Sequence, residues 1–377
     1  MLRKVFVEEA MLSPKVYMMA KEAGRKFPYE TRTLTWSADE IILITPLLRK
    51  FLELGMVIKK IHYCVQYAPT KPFAKFVNEL VEVRIASLGD ENNPPNEALG
   101  DRAKFTMNAC CGRFGLNLER QRNTKFAMEK NLQQNIRTPL VERYNSLNCE
   151  YETGLFEILK KKKKTVDKIA VQCSMFIYQA SKLHFLNFVL VLHKYLRPGS
   201  FRLCYCDTDS LMISIGGDTF DEIVREEYKD EWSKTVKPKW FAHPDSKPLV
   251  EKGEIDEHRR RSKIPGYLKS EFQTVNGTYC GLSAKCYMIT DNTKKKIKKS
   301  TKGTPKFINL SIQAYEKALF GGDIPKATFG QIVRDQKLGS AVTKTSTKCA
   351  MNPLYLKMRV DDNLIDITPF KKDDKFV

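Results

Sequence analysis

Residues 201–215 read FRLCYC-DTDS-LMISI: two short, β-rich apolar runs on either side of a tight polar turn. This pattern predicts a β-hairpin. It constrains the fold more than any other stretch, because its flanks are too apolar for a surface hairpin and its tip carries two carboxylates. The expectation is an acidic tip projecting from a central sheet. The strand period of two puts side chains i and i+2 on one side, which would bring Asp207 and Asp209 together. Carboxylates held together repel unless a cation lies between them, and an oxygen-rich site of this kind suits Mg²⁺. Two-metal phosphoryl or nucleotidyl transfer needs such carboxylates, one ion activating the attacking hydroxyl and the other steadying the leaving phosphate. A solvated Asp-Thr-Asp turn is the competing reading. The turn residues alone leave the two level; the apolar flanks favour the first.

The chain around this hairpin alternates helices with short antiparallel strands, which indicates an α+β fold. Residues 39–55 read as a strand, then Pro46, then an amphipathic helix ending at Gly55. Residues 60–67 (KIHYCVQY) are strand-like. Helical periodicity over 73–88 breaks at the turn GDENNPP (89–95), and a second helix runs over 97–111, making an antiparallel helical hairpin. Residues 117–168 are polar, end in the lysines 160–164 and read as an exposed insertion. Residues 169–195 form a long apolar helix stopped at Pro198-Gly199. Residues 216–261 are a charged connection. Further strands are expected at GYLKSEF (266–272) and AKCYMI (284–289), then a lysine cluster at 294–302 and a helix near 311–320.

Composition settles the partner class only in part. Lys+Arg exceed Asp+Glu by 64 − 44 = 20 charges, which calls for a polyanion: nucleic acid or an anionic membrane surface. The chain has 377 residues, enough for two or three lobes with cores, and its 42% hydrophobic content excludes a disordered basic tail. The most apolar run, 183–192, is interrupted by His184 and Asn187 and reads as part of a buried helix. No basic amphipathic helix stands out, so a membrane partner is not expected. The start of the chain resembles neither a signal nor a transit peptide. Ten cysteines without a CxxC pair read as reduced core thiols of an intracellular protein, nucleus and mitochondrion being indistinguishable. Histidines 62, 184, 193, 243 and 258 show no metal-ligand spacing, and there is no GxxxxGKS-type loop or GxGxxG.

Two further stretches carry chemistry. In Lys104-Phe-Thr-Met-Asn108-Ala-Cys-Cys-Gly112, the cation, the amide and the glycine gap lie at i, i+4 and i+8 on one helix face, a ridge for a triphosphate and a base, with Arg84 on the opposing helix. Taken alone, a solvated face with Gly112 as C-cap is the stronger reading. In Gly281-Leu-Ser-Ala-Lys285-Cys-Tyr287, Lys285 and Tyr287 are expected on one strand face, suiting a nucleic-acid backbone, although Lys-x-Tyr is common in edge strands. The lysine runs 160–164 and 294–302 could clamp phosphates; for 160–164 a solvated loop is an equal reading.

The order of these signals is informative. KxxxNAxxG, then YxDTDS about a hundred residues later, then KxY, resembles the C-terminal half of a family B DNA polymerase. It is most similar to the protein-primed branch: organellar and viral polymerases, linear-plasmid polymerases and those of Polinton/Maverick elements. LLRKFLELGMVIKKIHYCVQY and PFAKFVNELVEVRIAS resemble the run into the fingers, PGYLKSEF and GLSAKCYMI the late palm, and STKGTPK its exit to the thumb. The resemblance spans roughly 40–325 and implies a right-hand fragment: palm remainder 1–70, helical-hairpin fingers 71–116, insertion 117–168, palm with antiparallel sheet and catalytic hairpin 169–290, small thumb 291–377. It implies Asp209 and Asp207 as ligands of two Mg²⁺ ions, with Tyr205 and Thr208 beside the primer. It implies Arg84, Lys104, Asn108 and Cys111 at the incoming dNTP, and Lys285 and Tyr287 on the primer strand of a template-primer DNA.

Three departures stand out. Cys111 replaces the usual Tyr or Phe under the nascent base pair, and Ala109 replaces the commoner Ser. A DxxSLYP-type carboxylate motif is absent before residue 40, as are exonuclease carboxylates. Two functional classes follow: a DNA-directed DNA polymerase part, working with a terminal-protein primer and a separate chain or upstream sequence carrying the first carboxylate, or a domesticated, non-catalytic DNA-binding remnant. A reverse transcriptase is disfavoured, since Thr208 separates the two aspartates that such enzymes carry side by side.

Overall fold

The computed structural model describes residues 2–35, 40–68, 70–89, 93–118, 121–147, 154–162, 169–242, 259–301, 304–305, 308, 310–322, 324–334 and 341–370. The fold is α+β with several small antiparallel sheets. The chain divides into two compact units. One comprises Leu43–Leu118 and Val166–Gln273; the other comprises Met1–Ile42, Glu119–Thr165 and Thr274–Val377. His243 and His258 lie outside the described residues.

In the second of these units, β1 (Leu2–Val7) pairs antiparallel with β2 (Tyr29–Leu34), and α1 (Pro14–Glu22) lies between them in sequence. Val7, Met11, Leu12 and Val16 form a core with Leu356 and Phe370.

The other unit carries the hairpin. Its first helix, α2 (Thr45–Glu53), starts with Pro46, whose missing N–H is no loss in a first turn. Residues 40–44, expected as a strand, form none. Residues 56–68 follow α2 without helix or strand, although 60–67 have strand composition. A strand needs a ladder partner, and among the described residues these find none. Val57, Ile61, Tyr63 and Val65 are therefore exposed, while Tyr67 meets the Phe176 ring at 5.5 Å.

The helical hairpin forms as expected, from α3 (Ala74–Ala86) and α4 (Glu97–Phe114). Gly89, at φ 79°, opens the turn between them, and a Cβ there would meet the Asn93 carbonyl oxygen at 2.6 Å. Asn96 caps α4 by accepting the Leu99 N–H at 3.0 Å. The helix runs past Gly112 to a C-cap at Gly115, so Gly112 is not the cap.

In the insertion segment of the other unit, β3 (Arg122–Met128), α5 (Glu129–Ile136), β4 (Val141–Ser146) and β5 (Leu155–Lys161) make a three-stranded antiparallel sheet with β5 central. The stretch read as an exposed insertion thus holds a folded sheet, with Leu155 and Ile158 buried and β4 largely exposed. Lys344 reaches the buried Glu157 carboxylate at 2.6 Å.

Helix α6 (Val171–Tyr195) is 25 residues long. By length and hydropathy alone it is apolar enough to cross a membrane, more than the interrupted run 183–192 implies. It is also less buried than expected. Its C-terminal third packs inward through Phe188, Leu192 and Tyr195, while Val171 and Tyr178 near its start are exposed.

The inward end joins Trp232, Val236 and Trp240 in the largest aromatic core of the unit. These come from short helical turns, α7 (Phe220–Ile223), α8 (Lys229–Glu231), the π-turn Trp232–Val236 and α9 (Lys237–Trp240). Trp232 Nε1 donates to Asp221 at 2.7 Å, which satisfies the one polar atom of a buried indole. His184 and His193 are packing residues, against Trp240 and Phe201 respectively.

The hairpin itself is β6 (Phe201–Asp207) and β7 (Ser210–Ile215). Leu211, Ile213 and Ile215 pack against the aromatic core, which explains their apolar character. Among the described residues these two strands pair only with each other, so no larger sheet is seen around them there. One face goes to the core; the other leaves Leu203 and Cys206 exposed, so Cys206, Cys204, Cys110 and Cys111 are not core thiols.

The remainder of the second unit is a meander of β8 (Thr278–Ser283), β9 (Cys286–Thr290) and β10 (Lys296–Ser300), with β9 central and buried throughout. Helix α10 (Ile312–Leu319) covers it, and Tyr315 fills a core with Cys280, Cys286 and Met288. The lysine cluster is therefore partly a strand. GYLKSEF forms no strand beyond one bridge, Leu268 to Phe241. The chain closes with a nine-residue hairpin, β11 (Lys326–Arg334) and β12 (Ala341–Cys349), and a short pair, β13 (Arg359–Val360) and β14 (Ile367–Thr368).

Candidate functional site

At the tip of β6–β7, Asp207 pairs with Ser210 and the chain reverses over Thr208 and Asp209. Asp207 is the last strand residue, so strand alternation does not position Asp209. The turn does. The Asp209 N–H donates to the Asp207 carbonyl at 2.7 Å, an i to i+2 closure, with Thr208 at φ 60° between them. For a β-branched residue this backbone is an outlier costing roughly 1–3 kcal/mol, and such strain clusters at functional sites. Thr208 Oγ1 donates to Asp207 Oδ1 at 3.3 Å, and Ser210 Oγ to the Asp207 carbonyl at 3.2 Å. Thr208, Asp209 and Ser210 are exposed, Asp207 and Tyr205 half-exposed.

The ladder slips between Leu203 and Tyr205, so that Tyr205 opposes Met212. The bulge at Cys204 re-aims every side chain beyond it, a common device beside functional sites. The Cys206 thiol is pushed up, by desolvation first and then by the Asp207 charge, which keeps it protonated and a poor metal ligand.

Helix α4 presents Lys104 and Asn108 exposed on one face, with Cys111 half-buried one turn on. Desolvation and then Cys110 raise the Cys111 thiol. A Cβ at Gly112 would meet nothing, so the gap is not required by the chain's own packing. Close packing of α3 on α4 is visible at Gly100, where a Cβ would meet Ser87 Oγ at 2.5 Å. Arg84, on α3, is half-buried, and its Nη1 donates to the Lys263 carbonyl at 3.0 Å. Burial lowers the Arg84 pKa, with Asp101 opposing.

Beside Arg84 stands Lys263, a residue the sequence reading did not single out. Its pKa is lowered by burial, then by the charges of Arg84 and Lys269, with Lys104 adding and Asp101 opposing. The only signal available was the density of basic residues in RRRSKIPGYLK (259–269).

Lys285 and Tyr287, in the other unit, do not share a strand face. Lys285 sits in the β8–β9 turn at φ 62° and is exposed. Tyr287 is a buried strand residue, its ring centroid 6.2 Å from that of Tyr279.

Among the described residues, no cluster of three or more His, Cys, Asp or Glu could hold a metal. Asp207 and Asp209 nevertheless have the right donor chemistry for Mg²⁺. That ion takes hard oxygen ligands, often only one or two carboxylates, and fills its shell with water and substrate phosphates.

No curated protein and no solved structure matches the chain significantly. A family match exists for α2, the helical hairpin, the insertion and most of α6. Residues 43–189 match the family described as DNA polymerase type B, organellar and viral, so the chain is similar to that family over this segment.

Proposed function

We propose that the chain is the nucleotidyl-transfer part of a DNA-directed DNA polymerase, acting on template-primer DNA and dNTPs. The observation that carries this reading is the strained Asp207-Thr208-Asp209 turn at the exposed hairpin tip, in the same compact unit as the α3–α4 hairpin bearing Lys104. Asp207 and Asp209 would hold two Mg²⁺ ions, which when bound activate the primer hydroxyl and offset the charge of the leaving phosphate. The protein's own contribution is positional. The Thr208 hydroxyl orients the Asp207 carboxylate, and the Asp209 N–H fixes the turn. Lys104 and Asn108 face the nucleotide, with Cys111 beneath the nascent pair. Tyr205, Lys285 and Tyr287 belong to the primer side in this reading, Tyr287 acting through the β-meander because its ring is buried.

Among the described residues β6 and β7 pair only with each other, and in this reading the first carboxylate is supplied by a separate chain. Protein priming and a Polinton/Maverick-like origin rest on the motif order alone.

The test is binding of a labelled primer–template at rising salt, together with Mg²⁺-dependent extension. Binding should fall steeply with salt. Extension by the chain alone should be weak and drop about a hundredfold or more for Asp209→Asn. Robust extension indifferent to Asp209→Asn would overturn the assignment of the site. Tight, salt-sensitive DNA binding with no extension, even when the missing carboxylate strand is supplied, would move the chain to the non-catalytic remnant.

A further inference from the structure

On α6, His184, Asn187 and Lys194 fall at i, i+3 and i+10, a stripe beside the one, Phe188, Leu192 and Tyr195, that enters the core. Lys50 of α2 and Lys239 and Trp240 of α9 close on that stripe, and the six side chains line a pocket of about 430 Å³. All of them belong to the unit that carries the β6–β7 hairpin. The pocket shares no residue with the Asp207–Asp209 tip or with the Lys104 face of α4. In its wall, Trp240 is only 7% exposed, its ring meeting those of Phe188 at 5.3 Å and His184 at 4.9 Å.

The lining is rich in donors and, among the described residues, holds no carboxylate. His184 Nε2–H donates to the Gly266 carbonyl at 3.0 Å, which fixes the ring. Lys194 Nζ donates to the Tyr195 hydroxyl at 3.0 Å, lies 3.8 Å from Glu231 and sits over the Tyr195 and Tyr228 rings. Lys50 is held by Glu53 on its own helix. Neither glutamate lines the pocket. An ammonium has three donors, so both anchored lysines keep at least one N–H to give. Lys239 is exposed and has no ion pair or hydrogen bond among the described residues. The Trp240 Nε1–H is also without a partner among them. A buried indole N–H finds an acceptor as a rule, as that of Trp232 does in Asp221.

We propose that this pocket binds a phosphate group, carried by a free nucleotide or by a nucleic-acid strand. The proposal does not rest on the polymerase reading. A carboxylate holds its two oxygens in one plane, and a single donor fork satisfies it. A phosphate presents oxygens in several directions, which fits donors arriving from α2, α6 and α9. The lysines act as point charges, the way lysine serves phosphate, and the Trp240 N–H adds a neutral donor from the wall. The volume is more than a bare phosphate fills and falls in the range of small-molecule sites, about 300–1,000 Å³, which leaves room for the sugar that carries it. A solvated lysine patch accounts for Lys239 but not for a buried indole that holds its N–H open.

The experiment uses the full chain at fixed ionic strength, with adenosine monophosphate as the free probe, by calorimetry, and a labelled single-stranded oligonucleotide as the strand probe, by anisotropy. Lys239→Gln and Lys50→Gln should each weaken binding about tenfold, and Lys239→Arg should restore most of it. Trp240→Phe keeps a ring and loses the N–H, and should weaken binding about fivefold. Lys75→Gln, an exposed lysine on α3, should change nothing. Adenosine, which lacks the phosphate, should not bind. A loss confined to adenosine monophosphate supports the site and assigns it to free nucleotides; a loss in the oligonucleotide supports it and assigns it to a strand. Binding of both probes indifferent to Lys239→Gln and Lys50→Gln, or weakened equally by Lys75→Gln, would overturn the site. So would a wild-type chain that binds neither probe. Thermal melts check the fold of Trp240→Phe, and Lys239→Gln, at an exposed and unpaired side chain, keeps the test independent of folding.

Discussion

A charged contact joins the insertion sheet to the C-terminal hairpin. Lys344 Nζ lies 2.6 Å from Glu157 Oε2, with side-chain exposures of 22% and 9%. Replacing Lys344 by Met keeps most of the aliphatic stem but strands a carboxylate among the buried residues of β5. Removing one partner of a buried pair costs about 3–5 kcal/mol. Because Lys344 retains some access to water, the lower end applies, about 3 kcal/mol. Glu157→Gln strands the lysine instead, which can extend to solvent, and should cost about 1 kcal/mol. The double variant should lie within about 1 kcal/mol of wild type, so the coupling is about 3 kcal/mol. Hydrogen exchange on peptides covering Leu155–Lys161 and Ala341–Cys349 reads the effect locally. Urea unfolding followed by the fluorescence of Trp232 and Trp240 supplies a control in the other unit. Exchange in both strands unchanged by Lys344→Met, with a coupling below about 0.5 kcal/mol, would refute the claim that β5 and β12 are tied by this pair.

Two other outcomes follow from the cores. Burial first, and then Glu316, raise the Cys280 thiol from 9.0 to about 11. The unfolded thiol therefore loses its proton first; stability is intact below pH 9 and falls by about 2–3 kcal/mol as pH climbs to 11, a decline that Cys280→Ala should flatten in pH-dependent melts. Leu192 is fully buried beneath the hairpin. Leu192→Ala should cost about 3 kcal/mol by tryptophan-detected unfolding, and a loss below about 1 kcal/mol would mean that α6 is not seated in that core.

Legibility in the sequence followed the range of the signal. The α3–α4 hairpin was readable because its stop at Gly89, its cap at Asn96 and its periodicity are all local. The β6–β7 hairpin was readable for the same reason. Residues 60–67 were misread because composition encodes a strand's side chains, not its partner. Lys285 was misread because Ser-Ala-Lys holds no Gly, Pro, Asn or Asp to announce a turn. The strand period expected to set Asp207 beside Asp209 does not do so, because Asp209 lies in a strained turn beyond the end of β6. Lys263 was out of reach, since its contact with Arg84 spans 179 positions and exists only once the unit has folded.

The extended stretch 56–68 has a colloidal consequence. Its apolar side chains and unladdered backbone present a template onto which another copy could add as a strand. The surplus of 20 positive charges opposes such addition. Salt at about 0.1 M shortens the reach of that repulsion to about 10 Å. Salt that would strip the protein from DNA under the proposed function therefore also exposes it to self-association. A bound polyanion has a related effect, since it cancels the charge that keeps free copies dispersed. In the proposed function solubility and DNA occupancy share one electrostatic balance, which light scattering across a salt series, with and without duplex, would trace.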